Sequence, residues 1–117
     1  MADFIIEKKS FDMQKLSLEL YQYCIAHNIS SEGLSKIQLA AEEYLTNILF
    51  PNFDGAAEIN ISKNDDSLKI SFSHNGEDFM NKITDISFLS LKILRNKTVS
   101  MTSETKDGRT CAEFVLQ

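Results

Sequence analysis

Apolar residues recur every three to four positions in the first half of the chain and every second position beyond Pro51. The first spacing is that of helices packed on one face, the second that of half-buried strands. Met13, Leu16, Leu20 and Cys24 form one stripe, which predicts a helix over residues 11–27 with Ser10 as its cap and Asp12 in its electropositive first turn. A second stripe, Leu34, Ile37, Ala41, Tyr44, Leu45 and Ile48, predicts a helix capped by Ser30 or Ser31 and ending near Pro51. Residues 3–9 (DFIIEKK) precede both as a short strand.

Past Pro51, residues 57–63 (AEINISK) and 68–73 (LKISFS) alternate around an Asn64-Asp65-Asp66-Ser67 turn, which is a hairpin pattern. Residues 74–79 (HNGEDF) read as a glycine-bearing loop. Over residues 80–97, Ile83, Ile86, Leu89, Ile93 and Leu94 allow one helix or two short ones, and the Phe88–Leu94 run could leave an apolar patch exposed. Residues 98–105 and 109–116 form a second hairpin around Lys106-Asp107-Gly108. The order is βαα, ββ, irregular helix, ββ. It predicts an α+β fold, a two-layer sandwich with helices on one face of a mixed or antiparallel sheet, in a single domain over residues 1–117.

Charge and composition narrow the function. The net charge is −5 and no block of lysine or arginine occurs, which argues against a nucleic-acid surface. No apolar run is long enough to span a bilayer and no basic leader precedes an apolar core, so no membrane role is expected. Cys24 and Cys111 lie far apart and fit a reducing cytoplasm. The two histidines, with no cysteine nearby, give no metal-site spacing.

The candidate chemistry sits in Leu39-Ala-Ala-Glu-Glu-Tyr-Leu-Thr-Asn-Ile-Leu49. Glu43 and Asn47 are four residues apart, hence on one helix face and off the apolar stripe. A carboxylate beside a carboxamide can hold a divalent cation and polarise a hydroxyl or water. The plain alternative is a solvated Glu42-Glu43 face with Asn47 near the helix end. For His74 a turn or partly exposed position is expected. His27 is expected to sit at a helix C-terminus in a favourable dipole interaction.

The element order and the Glu43–Asn47 helix together resemble the GHKL ATPase fold shared by histidine kinases, type II topoisomerases, an abundant chaperone and mismatch-repair proteins. Within that group the chain is most similar, over essentially its whole length, to the small bacterial serine-protein kinases that act as anti-sigma factors. The resemblance implies that Glu43 activates the attacking group and that Asn47 ligates magnesium, with ATP as the nucleotide. Hard oxygen ligands of this kind suit Mg²⁺. It implies that Ala40 leaves room for the nucleotide, that the His74-Asn75-Gly76 loop meets the adenine edge, and that Thr110 helps hold it. The implied partners are a sigma factor and a small anti-sigma antagonist domain, with a possible homodimer.

Three departures bear on that implication. The family's loop begins D-x-G, and here His74 replaces the aspartate that accepts a bond from the adenine amino group. Neutral imidazole accepts such a bond and imidazolium does not. Residues 81–107 contain no glycine, although the family closes a glycine-rich lid over the phosphates. Pro51 stands where many relatives carry a histidine. Three readings follow: an anti-sigma-factor-like regulator that exchanges protein partners and binds ATP weakly, an active Mg-ATP-dependent serine-protein kinase, and an unrelated small α+β binding domain.

Overall fold

A computed structural model describes residues 2–81 and 85–116. The elements are β1 (Phe4–Glu7), a 3-10 turn (Lys8–Ser10), α1 (Met13–Ala26), and α2 (Ser31–Ala41), which runs into a π-helical segment (Glu42–Leu49). They continue as β2 (Ala56–Asn64), β3 (Ser67–Asn75), a 3-10 turn (Phe79–Asn81), α3 (Asp85–Lys97), β4 (Ser100–Lys106) and β5 (Arg109–Val115). The strands form one sheet in the order β1-β2-β3-β5-β4, with every neighbouring pair antiparallel. The helices cover one face, so the expected α+β sandwich is the fold.

Local chemistry explains the boundaries. The 3-10 turn uses up Lys8–Ser10, so α1 starts later than the stripe suggests and its cap is Asp12, not Ser10. The Asp12 carboxylate accepts from the backbone N–H groups of Gln14 and Lys15, satisfying two donors that have no partner inside the helix. Ser30 caps α2 by accepting from Gly33 N at 3.1 Å. Pro51 offers no N–H to continue the helix, and the Asn52 side chain closes its end by donating to Ile48 O. Asp107 and Gly108 both take positive φ, 54° and 75°, which is what a two-residue hairpin turn between twisted strands requires.

The core lies between the helices and alternate residues of the sheet. Tyr44 is its centre, stacked on Phe72 at 4.7 Å and edge-on to Phe114 at 5.7 Å. Leu16, Leu20 and Cys24 of α1 are buried as expected, while Met13 is only partly so. Leu34 likewise stays half-buried at the margin of the α2 stripe.

The second half of the chain departs further from expectation. His74 and Asn75 belong to β3, since they pair with Thr110 and Arg109 of β5, and the loop begins only after them. Residues 85–97 form a single helix. It buries Ser90, Leu91 and Leu94, whereas Phe88 and Leu89 are exposed, so Leu89 does not belong to the buried stripe. Ile83 and the side chain of Ile86 lie outside the described residues.

Candidate functional site

The helix signature stands on the π-helical segment. There the backbone bonds reach one residue further than in an α-helix, as Phe50 N does to Leu45 O at 3.0 Å. Such wide turns are rare and favour functional positions. Tyr44, Leu45, Ile48 and Leu49 point into the core, and Glu43 and Asn47 stand half-buried beside them. The two side chains meet: Asn47 Nδ2 donates to Glu43 Oε2 at 3.1 Å. That bond fixes the carboxylate and commits the amide nitrogen, leaving Asn47 Oδ1 as the oxygen a hard cation would take. Ala40, expected to give a nucleotide room, is instead 1% exposed and part of the core.

The second part of the site is the junction of β3 and β5. His74 and Thr110 face each other across the ladder, and both are fully buried. Thr110 Oγ1 donates to Gly76 O at 2.6 Å, so its remaining contact, 2.7 Å to Thr105 Oγ1, is a bond it accepts. Gly76 N donates to Gly108 O at 2.8 Å, so the peptide at Gly76 is gripped from both sides. Its φ of 117° is a conformation that side-chain-bearing residues rarely adopt. His74, Gly76 and Thr110 are thus brought together. Asn75 is not, because its side chain is exposed and accepts from Arg109 Nη1 at 3.0 Å. Arg109 also pairs with Glu58, and this polar cluster occupies the sheet face away from the helices.

His74 differs most from expectation, being a buried hub rather than a turn residue. Its ring lies 4.7 Å from Phe53 and 5.8 Å from Phe79, nearly parallel to the latter. Its Nδ1 lies 3.1 Å from Asn75 O; a carbonyl only accepts, so the proton sits on Nδ1. Nε2 is then a bare acceptor, and it is buried with no hydrogen-bond partner. An unpaired buried group of this kind costs about 1–3 kcal/mol. Burial pushes the imidazole pKa below its ordinary value and Arg109 adds to the effect, while the bond to Asn75 and the charge of Asp78 oppose it.

Tyr44 carries a second orphan. Its hydroxyl is buried without a partner, and desolvation followed by the Asp78 charge raises its pKa well above the ordinary tyrosine value. The Asp78 charge therefore bears on both Tyr44 and His74. Sequence reasoning placed Tyr44 in the helix stripe and Asp78 and Phe79 in a loop without giving them a part in the site, and it passed over Phe53. The available signal was an aromatic at Phe53 between Pro51-Asn52 and Asp54-Gly55, a segment that otherwise reads as turn.

His27 caps α1 with its Nδ1 2.8 Å from Tyr23 O and its ring stacked on Tyr23, as suits a helix C-terminus. Both cysteines are free. Among the described residues no group of three His, Cys, Asp or Glu side chains could hold a metal ion. No helix among them is long and apolar enough to cross a membrane. Comparison with known protein families gives no match, and no curated protein matches the chain.

Proposed function

We propose that this protein is an anti-sigma-factor-like regulator on a histidine-kinase-like ATP-binding fold, acting by exchange of protein partners with a weakened nucleotide site. The observation that carries the proposal is the state of His74. By the resemblance it takes the place of the family's adenine-binding aspartate; it pairs with Thr110 and lies two residues before Gly76. It is also buried against Phe53 and Phe79, which contact each other as well, with its acceptor nitrogen covered. A neutral imidazole there accepts one bond from an exocyclic amine, without the negative charge a carboxylate brings to it. Both properties lower affinity for ATP without erasing the site. The proposed partners are a sigma factor and a small antagonist domain, and the proposed setting is the cytoplasm.

The Glu43–Asn47 bond favours a second reading, an active serine-protein kinase. On that reading Asn47 Oδ1 would help hold Mg²⁺ beside the nucleotide, and the cation would supply neutralisation of phosphate charge. Glu43, oriented by Asn47 Nδ2 at 3.1 Å, takes the proton of a serine hydroxyl.

Thermal melting with and without 5 mM Mg-ATP separates the readings. A ligand at one hundred times its Kd stabilises by about 2.7 kcal/mol, whereas one near its Kd stabilises by only about 0.4 kcal/mol. The regulator reading expects the small shift, lost in Asn47→Ala, together with binding to a purified sigma factor. A large shift with phosphotransfer to a serine of the antagonist domain would instead establish the kinase. No shift and no sigma-factor binding would refute both.

A further inference from the structure

We propose that the Phe53 ring is a movable stopper over a concealed slot beside His74, and that the open slot takes a flat nitrogen heterocycle with an N–H donor on its edge. The inference rests on reading this end of the sheet as a nucleotide-derived site, and it adds what controls access to it.

The construction of the closed state points this way. His74 has no exposed surface, yet Phe53, whose ring lies 4.7 Å from it, is itself partly exposed. Phe53 belongs to no helix or strand, standing in the connection between the π-helical segment and β2. The tip of its ring lies over Gly55, where an added Cβ would come within 2.6 Å of Phe53 Cζ and force the ring to shift. Phe53 Cε1 also reaches Gly76, where an added Cβ would meet it at an ordinary 3.8 Å. A rotamer change at a single side chain in this connection uncovers His74 without breaking the sheet or the helix.

What lies beneath gives the slot its chemistry. Phe79 supplies a nearly parallel aromatic wall to the imidazole. Nε2 supplies a bare acceptor that has no donor in the closed state. A planar ligand replacing the Phe53 ring restores the aromatic contact and gives that acceptor its missing donor. The closed state can do only the first.

The test uses the full chain, with adenosine as a phosphate-free probe and Mg-ATP in parallel, followed by calorimetry and by the His74 ring resonances in NMR. In Phe53→Ala the His74 titration should move up towards that of a free imidazole, and adenosine should bind at least about tenfold tighter than to wild type. Phe53→Leu, which keeps an apolar cover, should fall between the two and serves if the alanine variant does not fold. An unchanged His74 titration in both variants overturns the stopper. Wild-type binding of Mg-ATP as tight as in Phe53→Ala also overturns it, while leaving the nucleotide reading intact. If the variants uncover His74 but bind neither adenosine nor Mg-ATP, the heterocycle is overturned together with the nucleotide reading, and the movable ring alone survives.

Discussion

Protonating His74 would place a second N–H donor at Nε2, a position with no acceptor, in a ring already buried against Phe53 and Phe79. Its folded-state pKa is lowered, chiefly by burial. Below the ordinary value near 6.5 the unfolded chain therefore binds more protons than the folded one, so stability falls as pH drops from about 6.5 towards the folded pKa. The loss cannot exceed about 1.4 kcal/mol per pH unit for one group. Melting curves at pH 7.5, 6.5 and 5.5 should fall more steeply for wild type than for His74→Phe. Parallel curves would show that His74 is not held neutral. At this scale the sequence revealed one side of the site and concealed the other. The Glu43–Asn47 contact follows from four-residue spacing alone. The burial of His74 depends on Phe53, twenty-one positions earlier, and on the Thr110 opposite it, and no local pattern reports such partners.

Elements begin and end where backbone groups find partners, and this decides between competing sequence signals. The apolar stripe makes Ser10 the expected cap of α1 and puts Asp12 within its first turn. The 3-10 turn after β1 settles the matter, since it leaves Asp12 to accept from Gln14 N and Lys15 N. Asp12→Ala should cost about 1 kcal/mol, read as a drop in the urea midpoint at unchanged slope. Ser10→Ala, losing only a long 3.5 Å contact, should lie within error of wild type. Equal effects from both would refute the assignment. The same rule lengthens β3, because its ladder with β5 holds His74 and Asn75 extended although His-Asn-Gly reads as a turn. The π-helical segment was not legible at all. Glu-Glu-Tyr-Leu-Thr-Asn has ordinary α-helix chemistry, and no residue in it marks the wider winding, whose inward side chains Tyr44, Leu45 and Ile48 are buried in the core.

Across the whole molecule, the change of period from 3.6 to 2 at Pro51 was enough to read two helices followed by hairpins, and hence a sandwich. Strand order was beyond it, because β1 joins β2 and β5 inserts between β3 and β4 through pairings distant in sequence. That order has a dynamic consequence. β3 is central, bonded to β2 on one side and β5 on the other, and carries the buried Leu68, Ile70, Phe72 and His74. β1 and β4 are edges with one bonded neighbour each. α3 packs chiefly on the π-helical segment and leaves Phe88 and Leu89 in solvent. Protection against hydrogen exchange rises with burial and with the number of bonded neighbours. The amides of Ile70, Phe72 and Ala112 should therefore exchange slowest, near the global unfolding free energy, while those of β4 and α3 exchange through cheaper local openings. Hydrogen-exchange NMR at pH 7 measures the order directly. If α3 proved as protected as Ile70 and Phe72, it would be an integral part of the core; if it exchanges early, the helix beside the Glu43–Asn47 segment can loosen while the sheet that holds His74 and Thr110 stays intact.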